Sequence, residues 1–156
     1  MIGAFYFLPS PTNRSQQLLK LAVLTCFVFV GCSDGRPSRV PVSGRVMIDG
    51  EPATSGSLQF LSQEGTGRPS AAKILPDGGF SIFTFEENDG CPLGTYDVVI
   101  TSMEELSETQ VRYNLPKKYG DRRTSGIVKT VDGPTDSMVI ELTWDGKKGP
   151  IIEAIR

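Results

Sequence analysis

Three carboxylates and an amide occupy four consecutive positions, Glu86, Glu87, Asn88 and Asp89, and Gly90 follows them. Oxygen ligands gathered in one loop can converge on calcium, although this spacing fits no EF-hand. The plainer expectation is an acidic, solvated hairpin tip, since exposed charge is the normal state of a loop. Ser70 and Lys73 have the S-x-x-K spacing of serine acyl-enzymes. That chemistry needs a helical turn to bring lysine beside serine, whereas these two fall in a predicted strand and so on opposite faces. The chain has no histidine. It therefore lacks the commonest general base, the usual serine and cysteine catalytic arrangements and histidine-based zinc sites. No catalytic residue and no cofactor are expected. Glu86, Glu87 and Asp89 are the metal candidates, and a metal-dependent hydrolase or a calcium-binding accessory protein built on them is the alternative to a non-catalytic reading. Lys117, Lys118, Arg122 and Arg123 form a basic cluster that could face anionic headgroups or the acidic tip.

Cysteine supplies a different kind of chemistry. The run Leu21–Val30 is ten residues long, follows Arg14 and Lys20, and has no acidic residue before it. This is the layout of a signal peptide. A bilayer-spanning helix needs about 20 apolar residues, so a permanent transmembrane anchor is the weaker reading. The run ends in Phe29-Val30-Gly31-Cys32, which resembles the lipobox of bacterial lipoproteins, with Phe29 in place of the usual leucine. The resemblance implies cleavage before Cys32 and acylation of its thiol. Two or more acyl chains hold a protein stably on a membrane, at about 0.8 kcal/mol per buried methylene. A conventional signal peptide cut at a nearby small residue is the alternative. The expected layout is then a signal peptide over 1–31, a polar tether over 32–39, a folded domain over 40–144 and an extension over 145–156. Cys26 is lost with the signal, so Cys91 is the one thiol left in the domain and no internal disulfide can form.

The elements that must position these residues read as strands. Of 156 residues 38% are hydrophobic and 22% charged, which suits one ordinary globular domain. Removing 1–31 takes two of the sixteen basic residues and no acidic one, leaving 14 against 18. An acidic domain without a basic stripe argues against a nucleic-acid partner. From Val40 onward apolar residues recur at even positions: Val42, Val46 and Ile48, Leu58 and Phe60, Ala72 and Ile74, Phe80 and Ile82, Tyr96, Val98 and Ile100, Met138, Ile140 and Leu142. With the weaker segment Ile127 to Val131, this gives seven half-buried strands. Asp49-Gly50 and Asp77-Gly78-Gly79 supply hairpin turns. Seven strands with one apolar face each predict an all-β fold, a seven-stranded antiparallel β-sandwich, with a small barrel as the alternative. Residues 102–123 read as a long charged crossover holding at most one helical turn. The tail from Lys147, with Ile151, Ile152 and Ile155, either adds an edge strand or packs beneath the sandwich.

Four phrases stand in order: Pro41-Val42-Ser43-Gly44-Arg45-Val46 with Asp49-Gly50-Glu51-Pro52, Ser57-Leu58-Gln59-Phe60, Asp77-Gly78-Gly79-Phe80, and Gly94-Thr95-Tyr96-Asp97-Val98. They resemble the carboxypeptidase regulatory-like, or transthyretin-like, sandwich domain. Leu115-Pro116-Lys117-Lys118-Tyr119 with Thr124-Ser125-Gly126 is similar to small planctomycete lipoproteins. The resemblance implies the sandwich fold and an envelope location; with the signal layout and the absence of histidine, the expectation is an exported, lipid-anchored, non-catalytic binding or structural module of the cell envelope. Its expected partners are a membrane, through the lipid on Cys32, and a protein or glycan ligand. The hydroxyisourate hydrolase activity found on this fold relies on histidines and a C-terminal Tyr-Arg-Gly-Ser, and this chain ends Glu-Ala-Ile-Arg.

Overall fold

Alternation of apolar and polar residues places one row of side chains on each face of a strand. The burial of the strands follows that rule. In β1 (Val42–Ile48), Val42 and Val46 are buried while Arg45 between them is exposed. The same holds for Leu58 and Phe60 in β3 (Gly56–Ser62), Ala72 and Ile74 in β4 (Ser70–Ile74), Phe80 in β5 (Gly79–Ser81), Tyr96, Val98 and Ile100 in β6 (Gly94–Thr101), and Ile140 and Leu142 in β10 (Thr135–Leu142). β2 (Glu51–Pro52) and β9 (Ile127–Val131) complete this set. A computed structural model describes residues 35–65 and 67–154. Cys26, Cys32 and the apolar run lie outside them.

The buried rows meet in one hydrophobic cluster fed by two four-stranded sheets. One has the order β4-β3-β6-β9, antiparallel throughout. In the other, β1 is flanked by β10 on one side and shares its second edge between β5, paired along Ser43–Arg45, and β2, paired at Met47 and Ile48. The fold is all-β in its main elements.

Two features depart from a uniformly antiparallel, seven-stranded arrangement. First, β1 and β10 run parallel, with Val46 opposite Ile140. Alternation reports which face a residue takes and carries no information about strand direction. β10 reaches β1 from the opposite sheet, directly after β9, and that crossover sets its sense. Second, the seven predicted strands are all present, but four more join them among the described residues. β2 is one. The other three, β7 (Met103–Ser107), β8 (Gln110–Tyr113) and β11 (Ile151–Ala154), form a separate sheet of order β11-β8-β7. Every residue of β7 is exposed, so this sheet is held by backbone pairing more than by burial. The expected crossover over 102–123 is thus a hairpin followed by a 3₁₀ turn (Lys117–Gly120), which leads into one turn of helix, α1 (Arg122–Ser125). The tail forms an edge strand, but of this separate sheet, where β11 pairs with β8, and it lies beyond the predicted domain limit at 144.

The turns use the predicted chemistry. Asp49 and Gly50 both take positive φ, 48° and 88°, as a two-residue hairpin loop requires. Asp77 accepts the N–H of Gly79 at 2.9 Å.

Candidate functional site

The acidic loop follows β5 and is organised around Asp89. Its Oδ1 accepts the N–H of Thr84 at 2.7 Å, its Oδ2 accepts that of Phe85 at 3.1 Å, and Arg39 Nε lies 3.0 Å from Oδ2 as an ion pair without the angle of a hydrogen bond. Burial acts to raise the Asp89 pKa. Backbone N–H groups from Thr84, Phe85 and Glu86, with the charge of Arg39, outweigh it and hold the carboxyl below its ordinary value. Behind the loop, Thr84 Oγ1 donates to the carbonyl of Gly90 at 2.7 Å and sits 2.8 Å from Ser70 Oγ. Asp89 is therefore spent on loop structure. Glu86 and Glu87 are exposed beside it, and among the described residues no three carboxylate, cysteine or histidine side chains are grouped to hold a metal.

Ser70 is fully buried and bonded to Thr84, whereas Lys73 on the same strand is exposed. The S-x-x-K spacing brings no lysine to the serine. The basic cluster is also distributed, in a way its sequence does not indicate. Lys117 pairs with Glu153 at 2.7 Å, Lys118 with Asp145 at 2.5 Å, Arg122 with Asp97 at 2.6 Å and Arg123 with Asp121 at 3.0 Å. Hydrogen bonds to Glu153 and Asp145 raise the pKa of Lys117 and Lys118, and those from Gln63 and then Arg122 lower that of Asp97. Lys117 and Lys118 tie the 3₁₀ turn to the C-terminal tail and Arg122 ties α1 to β6, while Arg123 pairs locally with Asp121 at the start of α1.

Cys91 is fully buried, bridged through its backbone to Val40, and burial pushes its thiol up to about 11. A thiol attacks as its thiolate. In the native protein at pH 8, Cys91 is expected to react with iodoacetamide at least tenfold more slowly than after unfolding in guanidinium. Mass spectrometry over a time course measures the ratio.

One further arrangement has no signal in the sequence. At the end of β3 and β6 remote from the acidic loop, a cleft of about 530 Å³ is lined by Ser55, Ser57, Thr101, Ser102, Glu104 and Asn114, among others. Ser55 Oγ lies 3.0 Å from Ser102 Oγ, and Ser57 Oγ 3.2 Å from Thr101 Oγ1. Each hydroxyl pair consumes one O–H donor and one acceptor, leaving a second donor and further lone pairs for a ligand. Gly56, with φ 134°, allows the approach, since a Cβ there would stand 2.6 Å from the carbonyl oxygen of Thr101. A second cleft of about 230 Å³ shares Thr101, Ser102 and Met103 and is walled by Tyr113, Leu115 and Pro116. Hydroxyls therefore adjoin an aromatic and apolar wall. Glu104, the carboxylate of the larger cleft, is paired with Arg112 at 3.3 Å rather than with a serine. The chemistry on offer is recognition by hydrogen bonds and apolar contact. Residues lining the cleft are about 45 positions apart in the chain, which is why strand periodicity does not reveal them.

Compared with protein-family models, curated proteins and solved structures, the chain matches none.

Proposed function

We propose that the chain is an exported lipoprotein, held on a bacterial membrane by lipid on Cys32, whose transthyretin-like β-sandwich is a non-catalytic binding module of the cell envelope. The observation that carries this reading is the Gly31-Cys32 pair closing a ten-residue apolar run, with the folded unit starting at Pro37, shortly beyond it. Two sheets sharing one core support the sandwich, and the ordered phrases from Pro41 to Val98 support its transthyretin-like character. Among the described residues no helix is long and apolar enough to cross a membrane. The hydroxyl-lined cleft with its aromatic wall favours a glycan as ligand, because sugars present hydroxyls at their edges and C–H groups on their faces.

Metabolic labelling with an alkyne fatty acid tests the anchor. The wild type expressed in a bacterium is expected to take up label and to sediment with membranes, and Cys32→Ala is expected to lose both. Equal labelling of the two proteins sinks the proposal.

A further inference from the structure

We infer that the end of the domain carrying Arg68 and the loop 84–93 is held against the bilayer in which Cys32 is anchored, so that the hydroxyl-lined cleft is presented away from the membrane. This rests on the lipid anchor proposed above. Three observations carry it.

The first is where the chain joins the fold. Arg39 is ion-paired to Asp89 at 3.0 Å, and its guanidinium lies 4.9 Å from the centre of the Phe85 ring. Val40 and Cys91 exchange backbone hydrogen bonds at 2.9 and 3.1 Å. A Cβ on Gly90 would stand 1.9 Å from the Val40 carbonyl oxygen, so the two segments are in direct backbone contact. The tether is thus clasped to the loop 84–91, and Arg39 already belongs to the domain.

The second is length. Seven residue steps separate Cys32 from Arg39. Seven steps span at most about 24 Å when fully extended. β6 runs from Gly94, next to the clasp, to Thr101 in the cleft. At roughly 3.3 Å per residue that strand covers about 23 Å. Bringing the cleft to the bilayer would need the tether at or near full extension, whereas seating the clasped end there needs none.

The third is the surface at that end. Leu93 is 58% exposed there, next to Pro92, and Arg68 lies 5.8 Å from the Phe85 ring. An exposed leucine with neighbouring aromatic and arginine side chains suits the headgroup boundary. Glu64, Glu86 and Glu87 share this end and oppose an anionic surface. The fitting partner is accordingly a zwitterionic lipid face.

The test uses the full lipoprotein, purified with its lipid and placed in phosphatidylcholine vesicles carrying headgroup nitroxide. Bimane is attached at Glu87→Cys, beside the clasp, or at Glu51→Cys, in the turn at the far end of β1; buried Cys91 stays unlabelled. Quenching at 87 is expected to exceed that at 51 at least threefold, and Arg39→Gln is expected to shrink the ratio. Equal quenching at both positions, in protein whose intact mass shows acylated Cys32, overturns the orientation alone. An intact mass without lipid on Cys32 overturns the anchor and the orientation with it.

Discussion

Phe60→Ala is expected to destabilise the domain by about 3–5 kcal/mol, the range for removing a fully buried aromatic side chain. Phe60 has no solvent exposure and lies on β3, an interior strand between β4 and β6. Its ring centroid is 5.6 Å from that of Tyr96 on the neighbouring strand. Losing this tilted pair contributes about 0.5–1.5 kcal/mol beyond the apolar area. Domains of this size are stable by only about 5–15 kcal/mol, so roughly a fifth or more of the total goes. Urea denaturation followed by circular dichroism measures the loss as a fall in midpoint with an unchanged slope. Val128→Ala, at a residue 51% exposed on β9, is expected to stay within about 0.5 kcal/mol. Similar midpoints for the two variants would place Phe60 outside the core.

Gly90→Ala is the second large effect. Gly90 has φ 78°, a conformation that costs a residue with a Cβ about 1–2 kcal/mol. The added Cβ would also overlap the Val40 carbonyl oxygen at 1.9 Å, and forced overpacking adds about 1–3 kcal/mol. A total near 2–5 kcal/mol is expected, together with faster amide exchange at Val40 and Cys91 as their bridge opens. Gly50→Ala separates the two causes. Gly50 has a similar φ of 88° but nothing within 4 Å of a Cβ, so only the conformational part, about 1–2 kcal/mol, is expected there. Equal losses at both positions would show that the clasp contact has no energetic weight.

What the sequence made legible was whatever a single strand decides for itself. Val46, Phe60, Val98 and Ile140 follow the even-position rule because each must leave water on one face of its own strand, and all four are fully buried. Asp49-Gly50 was readable for the same local reason. Pairing across the chain was not. The β7–β8 hairpin has no apolar row to betray it, since β7 is exposed throughout. The basic cluster gave its charges plainly and its partners not at all: Lys117 finds Glu153 across 36 positions and Lys118 finds Asp145 across 27. Asp89 was visible as a carboxylate, but its use by Thr84, Phe85 and Arg39 depends on loop geometry. Cys32 belongs to the opposite category, being readable only as a motif and lying outside the described residues.

The parallel pairing of β1 with β10 sets a timetable. Val42 stands opposite Thr135 and Ile48 opposite Leu142, so the first long strand of the domain is completed by nearly the last. A chain emerging from its N-terminus, at a ribosome or through a translocation pore, displays β1 early with one hydrogen-bonding edge bare. Its other edge is taken by β5 and β2, which arrive much sooner. Closing so distant a contact is slow, and an unpaired edge meanwhile invites foreign strands. Until β10 arrives, the growing polypeptide depends on its surroundings for protection.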